Sequence, residues 1–237
     1  MNTVLQSAVE SGPELWQSLW LTLRLAFIST ACLAALGIPL SLWLNRTAWR
    51  GAVLIETLVT LPIVLPPTVI GFYLLSLFAP HTALGSFWLK ITGETLTFSF
   101  SGLVVGSVFY SLPFAVQPFQ TAFRAIPRMY TDAAKTLGAS RWQTFREVML
   151  PLGRRGVAVG LTLSFAHTIG EFGVVLMLGG SIPGKTKVAS IALYDEVQKL
   201  NYATAHAYAL TLLLISFVLI LLMTVIQRKG VSIEGAV

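Results

Sequence analysis

Residues 124–155, RAIPRMYTDAAKTLGASRWQTFREVMLPLGRR, form a basic and polar segment inside a chain that is otherwise strongly apolar. Seven of these residues are Lys or Arg. Over all 237 residues, 55% are hydrophobic and only 11% are charged, and the mean hydropathy is +0.76. Soluble domains carry about 25% charged residues. The composition therefore predicts an integral membrane protein with one large polar loop.

Apolar stretches on both sides of this loop predict five membrane-spanning helices. A spanning helix needs about 20 predominantly apolar residues. The predicted spans cover residues 19–45, 55–79, 98–123, 156–180 and 205–227, within a single transmembrane domain over residues 1–237. Residues 1–16 contain two acids and no basic residue, so we expect no cleavable signal peptide there. A sixth membrane-associated segment at this end is the alternative.

The distribution of Lys and Arg predicts the orientation. With five spans, residues 46–56, residues 124–155 and the tail after 227 lie on one side and contain eleven Lys or Arg. The opposite side has four, Lys90, Lys185, Lys187 and Lys199, with Arg24 at the outer edge of the first span. Cytoplasmic loops are the basic ones. We therefore expect an external N-terminus, a cytoplasmic C-terminus and a cytoplasmic central loop. The net charge of +6 then reflects topology and lipid headgroup contact rather than nucleic-acid binding.

The central loop has helix start and stop signals. Pro127 prevents the third span from continuing, Thr131 is a candidate N-cap, and Gly138 is typical of a helix C-terminus. Ser140 and Gln143 have the spacing of a capping box. The loop is thus predicted to form helix, glycine corner and helix. These signals alone leave two interpretations open, a docking unit for a soluble partner or an amphipathic loop that lies on lipid headgroups.

A resemblance favours the docking unit. The pattern of Asp132-Ala133-Ala134, then Gly138, then Val148-x-Leu150-Pro151 resembles the EAA loop of ABC-importer permeases, with Asp in place of the usual Glu. This likeness implies an all-α membrane protein with the type I importer permease fold, whose loop couples to a cytoplasmic ATPase. The implied coupling residues are Thr131, Asp132, Ala133, Ala134, Thr136, Leu137 and Gly138, with Arg141 and Trp142 at the rim of the contact.

Two other segments resemble molybdate-transporter permeases. One is LPIVLPP over residues 61–67 with Gly71, and the other is GEFG over residues 170–173 with IPG at 182–184. Sulfate/thiosulfate permeases share the EAA loop and a similar glycine–glutamate run, so sulfate, thiosulfate and tungstate are the alternative substrates. An Arg often stands in the molybdate family where this chain has His167, so the chain departs from the pattern there.

The same segments carry the candidate translocation path or gate. Three prolines remove three backbone donors within six residues, and such a break in a spanning helix is tolerated only where protein or water satisfies the backbone. A kinked packing helix is the alternative. For Glu171 we favour a structural contact with His167, four residues earlier, or with another helix, because a carboxylate in the path would repel an oxyanion. The candidates are Pro62, Pro66, Pro67, Thr68, Ser164, Thr168, Gly170 and Glu171.

Residues 179–186, GGSIPGKT, match the phosphate-binding loop pattern G-x4-G-K-[ST]. A working loop of this kind follows a buried strand and opens a helix. This match follows a membrane span on the predicted external side, so we reject it as a nucleotide site. After it, Ile191, Tyr194, Val197 and Leu200 recur at helical spacing and predict a short interfacial helix near the docking surface for an external partner.

The expected function is that of a permease subunit, not an enzyme, in a bacterial inner membrane. The chain has no catalytic grouping and no metal-ligand spacing among His81, His167 and His206. By the resemblance, ATP and Mg²⁺ bind the partner ATPase, and this chain binds no cofactor. The implied partners are two ATPase subunits, an external oxyanion-binding protein, a second copy of the permease and membrane lipid. A secondary anion transporter or channel, which needs no ATPase, is the rival class.

Overall fold

The computed structural model describes the backbone of residues 12–231 and the side chains of residues 12–225. Residues 1–11, on which the predictions about a signal peptide and a sixth segment fall, and the side chains of Arg228 and Lys229 lie outside this range. Every regular element in residues 12–231 is helical. The elements are α1 (Gly12–Arg46), α2 (Ala52–Thr60) with a 3₁₀ turn at Leu61–Ile63, α3 (Pro67–Leu77), α4 (Ala83–Thr92), α5 (Phe100–Arg124), α6 (Arg128–Thr136), α7 (Arg141–Gly170), α8 (Gly173–Gly179), α9 (Ala189–Gln198) and α10 (Tyr202–Val231).

The centre of the molecule is the packing of α1, α5 and α7 against one another. Leu33 of α1, Phe119 and Ala115 of α5, and Val157 of α7 belong to one fully or almost fully buried cluster. Small residues let these helices approach closely, as small residues do in membrane helix pairs. A Cβ on Gly37, for example, would lie 3.2 Å from the ring of Phe119.

Three described helices, α1, α5 and α10, are long and apolar enough to cross a membrane individually. Two further candidates are bent pairs, and counting each pair as one span gives up to five. The predicted span at 55–79 is therefore not one continuous helix: Ala52–Ile63 and Pro67–Leu77 meet at 114°. The predicted span at 156–180 is likewise divided, because Gly173–Gly179 bends away from Arg141–Gly170 by 60°. Pro66, which precedes Pro67, has an extended ψ of 136°, and that conformation ends the preceding helical segment.

Helix α10 packs against α7 and α9 but keeps most of its surface exposed. Only 6% of its most apolar 18-residue window is buried. Leu213, Phe217 and Leu221 are among its exposed side chains. A continuous apolar surface of this kind fits lipid, because soluble proteins rarely expose contiguous apolar patches this large.

Helix α9 contains Ile191, Tyr194 and Val197 of the predicted helical spacing, but it ends at Gln198, and Leu200 lies beyond it with φ of +59°. The structure corrects its environment, since Ala189, Ile191 and Ala192 are fully buried and α9 packs against α1 and α10. Tyr194 and Val197 lie on its exposed side. Its N-terminus is attached to α1 by a hydrogen bond from the Ala189 amide to Thr22 Oγ1 (2.8 Å). The predicted interfacial helix is thus also part of the packed core.

Candidate functional site

The polar loop folds as helix, glycine corner and helix, with one correction at its start. Helix α6 begins at Arg128, after Pro127 with ψ of 135°, rather than after Thr131. Thr131 lies inside the helix, where its hydroxyl donates to the carbonyl of Arg128 (2.8 Å). The predicted N-cap was wrong because Pro127, with its fixed φ, is already the residue that precedes the first turn of the helix. Asp132 is consequently in the second turn of α6.

The glycine corner and the second cap are confirmed. Gly138 has φ of +81°, in the left-handed region that glycine adopts without steric cost. Its amide donates to the carbonyl of Lys135 (2.9 Å), and the amide of Ala139 donates to that of Ala134 (3.0 Å). Ser140 Oγ accepts from the Gln143 amide, and Gln143 Oε1 accepts from the Ser140 amide. Backbone hydrogen bonds at the end of α6 and the capping box at the start of α7 therefore fix the chain on both sides of Gly138.

The polar loop has exposed apolar side chains, although it lies outside the predicted membrane spans. Leu137 is 87% exposed and Trp142 is 65% exposed, and no residue of α6 is buried. Met129 and Tyr130 are also exposed, and the sequence-based site did not include them. The prediction placed the start of the helix after Thr131, so Met129 and Tyr130 fell outside it; the structure begins the helix at Arg128 and includes them. Clustered exposed apolar residues with a polar border are typical of a protein-binding surface.

Asp132 makes an exposed ion pair with Lys135, at 2.8 Å between Oδ1 and Nζ. The hydrogen bond and the charge of Lys135, with a smaller contribution from Arg128, hold the pKa of the Asp132 carboxyl below its ordinary value of 3.8. The helix therefore presents an ionised carboxylate at neutral pH. Exposed pairs of this kind add little stability, so Asp132 is available to a binding partner.

Polar contacts link the helix ends on the side of the molecule that the charge distribution predicts to be cytoplasmic. Arg124 Nε donates to Asn45 Oδ1 (2.6 Å) and its Nη2 pairs with Glu56 Oε1 (3.2 Å). Asn45 Nδ2 donates to the carbonyl of Gln120 (3.1 Å). These contacts connect the end of α1, helix α2 and the end of α5 beside the loop.

The loop continues into the bundle through α7. Helix α7 contains a π-helical turn at Thr144–Met149, against which α6 packs. Farther along, added Cβ atoms on Gly153, Gly156 and Gly160 would each lie 2.9 Å or less from a side-chain atom of α5. The two helices can approach this closely only because α7 has no side chains there. The loop is therefore continuous with a helix that packs tightly on α5.

The two family-like segments, far apart in sequence, meet in space. A Cβ on Gly173 would lie 2.6 Å from Pro67 Cβ, and a Cβ on Gly71 would lie 2.6 Å from Met177 Cβ. Helix α8 thus packs on α3 just beyond each helix break. The break at Pro66–Pro67 and the break at Glu171 form one structural unit.

Of the polar side chains near the end of α7, His167 and Thr168 contact α5, and Ser164 bonds within α7. Ser111 Oγ shares hydrogen bonds with His167 Nδ1 (2.9 Å) and Thr168 Oγ1 (3.1 Å). Ser164 is buried, and its hydroxyl donates to the carbonyl of Gly160 (2.7 Å). The expected contact between His167 and Glu171 is absent from the described hydrogen bonds; His167 instead bonds Ser111 and stacks on Phe114 with ring centroids 4.0 Å apart. The side-chain contact predicted for Glu171, with His167 or with another helix, has no hydrogen bond among the described residues, whereas His167 makes an interhelical contact with Ser111.

Glu171 follows the end of α7 and is only 4% exposed. Its carbonyl accepts a hydrogen bond from Ser190 Oγ (2.6 Å), which fixes the backbone at the break. The hydroxyl of Ser107 is also buried. Among the described residues, however, neither carboxyl oxygen nor that hydroxyl has a partner with hydrogen-bond geometry.

The remaining path candidates differ in exposure. Pro66, Thr68 and Gly170 are exposed, whereas Pro62 and Thr168 are buried. A Cβ on Gly170 would meet no atom within 4 Å. The exposed candidates therefore border open space beside the joined breaks, and the buried ones support them.

The GGSIPGKT segment is a structural loop. Thr186 is fully buried, and its hydroxyl donates to the carbonyl of Gly179 (2.7 Å) and accepts from the Ile182 amide (3.1 Å). A phosphate-binding loop needs this hydroxyl for Mg²⁺, so the geometry agrees with the rejection of a nucleotide site. Among the described residues no group of three or more His, Cys, Asp or Glu could hold a metal ion.

The described residues thus form an all-helical apolar bundle with two broken helices and a polar helix–corner–helix. Residues 37–230 match the family described as "Binding-protein-dependent transport system inner membrane component", and the chain belongs to that family.

Individual relatives are similar over most of the chain. The molybdenum transport system permease protein ModB of Azotobacter vinelandii is 48% identical over 200 residues, which cover 84% of this chain and 88% of that protein. The ModB protein of Escherichia coli (strain K12) is 33% identical over 79% of this chain and 82% of its own length. The sulfate transport system permease protein CysT of the same strain is 33% identical over 93% of this chain and 79% of its own length.

Solved structures share the fold. A bacterial ABC transporter involved in the import of the acidic polysaccharide alginate matches with a TM-score of 0.75 at 20% identity, over 96% of this chain and 83% of that chain. The MetNI methionine ABC transporter, in an inward-facing conformation, matches with a TM-score of 0.62 at 17% identity, over 90% of this chain and 95% of that chain. At these identities the likeness concerns the fold alone.

Proposed function

We propose that this chain is the membrane permease subunit of an ATP-driven importer that moves molybdate into the cytoplasm. The assignment of molybdate as the substrate is supported by the 48% identity with a molybdenum transport permease over 84% of this chain. The 33% identity with a sulfate permease makes sulfate the alternative substrate. Tungstate is a second alternative that similarity does not distinguish from molybdate.

Energy for transport comes from a separate ATPase that binds α6. An exposed helix with Leu137 and Trp142 beside it supports this docking, because exposed apolar patches mark interaction sites and Trp is enriched at the centre of protein interfaces. Closure of two ATPase subunits would draw two copies of α6 together. The glycine contacts between α7 and α5 would carry this displacement to the joined breaks at Pro67 and Gly173.

The transmembrane arrangement follows the charge distribution. Counting each bent pair as one span gives five spans, with an external N-terminus and a cytoplasmic C-terminus. A homodimer would form the path at its two-fold axis, beside the exposed Pro66, Thr68 and Gly170. An external binding protein would deliver the anion. ATP and Mg²⁺ would bind the ATPase, and no cofactor would bind this chain.

Uptake by intact cells tests the substrate and the class together. Cells that lack their own molybdate permease would express this chain with its cognate ATPase and binding protein. We expect molybdenum accumulation that excess tungstate reduces and excess sulfate does not. Strong competition by sulfate would make sulfate the substrate. If uptake is undiminished with a hydrolysis-deficient ATPase, the chain is not part of an ATP-driven importer, and the class is that of a secondary transporter or channel.

Ala134→Trp tests the coupling surface separately. Ala134 is a small, partly exposed residue of α6, and an indole there would keep a partner from approaching the helix. We expect loss of ATPase co-purification and of ATP-driven uptake, with normal membrane insertion. Ala83→Trp, at an exposed position of α4, is the matched control and should retain both. Normal ATP-driven uptake by Ala134→Trp would contradict the assignment of α6.

A further inference from the structure

A cavity of about 1060 Å³ lies between the end of α1, the end of α5 and the inner side of α6. Five basic residues line it, Arg46, Arg124, Arg128, Lys135 and Arg141, with one acid, Asp132. We call it the basic cavity. Thr131, Asp132 and Arg141, which are among the proposed coupling residues, also line it. Its excess of cations is a feature separate from the exposed apolar side chains of the docking surface, Leu137 and Trp142.

Carboxylates neutralise only part of this charge. Asp132 pairs with Lys135 and Glu56 pairs with Arg124. The other three arginines have no salt bridge among the described residues. Arg46 donates to Met149 Sδ (2.9 Å), and a thioether is a weak and uncharged acceptor. Among the described residues, Arg46, Arg128 and Arg141 thus border the cavity without a salt bridge, and Arg128 also acts on the charge of Asp132.

The guanidinium groups of these three arginines are suited to binding phosphate. A guanidinium is planar and presents donors that match phosphate oxygens in pairs. Arg46 ends α1, Arg128 begins α6 and Arg141 follows the glycine corner. The cavity therefore gathers phosphate-binding groups from three different elements.

The remaining walls are apolar and aromatic. Leu42, Trp43, Phe123 and Ile126 line the same cavity, and Trp43 is 42% exposed. Tryptophan is enriched at membrane–water interfaces, and α1 and α5 are two of the helices able to span the membrane. The cavity thus combines cations with apolar surface near the end of two spans, as an amphiphilic ligand requires.

We propose that the basic cavity binds the phosphate group of an anionic phospholipid of the cytoplasmic leaflet. Basic pockets between membrane helices at the cytoplasmic side are suited to such headgroups. Occupancy would join α6 to α1 and α5, since residues of all three elements line the cavity. The lipid would then hold the coupling helix in place against the bundle. The proposal does not depend on the transported anion.

Lipid retention measured by native mass spectrometry tests this site. The permease, purified with its associated subunits, is placed in nanodiscs of phosphatidylcholine with or without phosphatidylglycerol, and bound lipid is measured after release. Retention of phosphatidylglycerol is expected for the native chain. The pair Arg46→Gln and Arg128→Gln should weaken it by about thirty-fold, because each arginine near an anionic lipid contributes about five-fold.

Two controls make the result specific. Arg50→Gln removes one positive charge on the same predicted side but outside the cavity lining, and should leave retention unchanged. The pair Arg46→Lys and Arg128→Lys keeps the charge and should retain most of the lipid, which separates loss of the site from misfolding. Phosphatidylcholine nanodiscs with inorganic phosphate form a further arm, in which thermal stability should not rise.

Three outcomes would overturn the proposal. Retention by the glutamine pair equal to that of the native chain would show that the cavity binds no lipid phosphate. An equal loss in Arg50→Gln would assign the retention to general surface charge. Thermal stabilisation by inorganic phosphate equal to that by phosphatidylglycerol would make free phosphate, and not lipid, the occupant.

Discussion

Gly138 gives the corner after α6 its backbone geometry. Its φ of +81° is left-handed, and a Cβ there would meet no atom within 4 Å, so a substitution acts through the backbone alone. A non-glycine residue in this region costs about 1–2 kcal/mol. We expect Gly138→Val to lower ATP-driven uptake by about ten-fold, since that energy reduces the correctly turned population by about this factor. Gly138→Asn should retain more activity because Asn tolerates this conformation.

Gly93→Val is the matched control for this prediction. Gly93 has φ of +75° and also has open space around its Cβ position, but it ends α4 on the opposite predicted side. The same backbone strain there should lower thermal stability without loss of ATP-driven uptake. If both variants lose uptake equally, the corner at Gly138 has no special part in coupling.

Asp132 leads to a prediction about pH. Its folded pKa is lowered by Lys135, so the contribution of the ion pair is present above the ordinary carboxyl pKa and is lost as pH falls through the lower folded value. ATPase association should therefore be constant between about pH 8 and pH 5 as far as this carboxyl is concerned. Co-purification across that range measures it. A loss in the native chain that Asp132→Asn abolishes would show that the carboxyl titrates there.

The contact between α7 and α5 depends on glycines at the crossing. Gly160→Leu would place atoms where Phe119 and the carbonyl of Ala115 already lie, at 2.6 Å and 3.0 Å from an added Cβ. Overpacking of this kind costs about 1–3 kcal/mol. We expect a lower midpoint of thermal unfolding in detergent and reduced uptake. Gly170→Ala, at the end of the same helix with open space around it, should leave the unfolding midpoint unchanged; an equal decrease would contradict the packing account.

The broken helices show how local chemistry and packing combine. Pro66 and Pro67 end one helical segment and begin another because their rings fix φ and remove backbone donors. The break is stable because α8 covers it, with Gly173 against Pro67. In α6, by contrast, a local rule misled the prediction, since Thr131 has the chemistry of a cap but Pro127 already precedes the first turn of the helix.

The orientation of the whole chain can be measured with single cysteines. Cys32 is the only cysteine, so a Cys32→Ser background allows the addition of Arg50→Cys or Thr92→Cys, both at exposed positions. In intact spheroplasts, a membrane-impermeant maleimide should label Thr92→Cys, and should label Arg50→Cys only after permeabilisation. The physical reason is the basic bias of cytoplasmic loops. The reverse pattern would invert the topology and remove α6 from the cytoplasm.

Much of the architecture is readable from residues close together in the chain. Apolar length predicted where the long helices lie, prolines predicted the break near residue 66, and Gly138 with the Ser140–Gln143 capping box predicted the corner. These features are local, because proline, glycine and capping side chains act on backbone within a few residues of themselves. The family-like motifs also marked two segments that later proved to touch.

Tertiary packing alone decided which partners these segments have. His167 bonds Ser111, 56 residues earlier, instead of Glu171 on the next turn, and the basic cavity gathers residues from α1, α5, α6 and α7. Helices that are apolar on every side do not reveal which face is buried by protein and which by lipid. The close approach of helices at their glycines determines which faces are buried. It also determines the contacts between Pro67 and Gly173 and between α7 and α5.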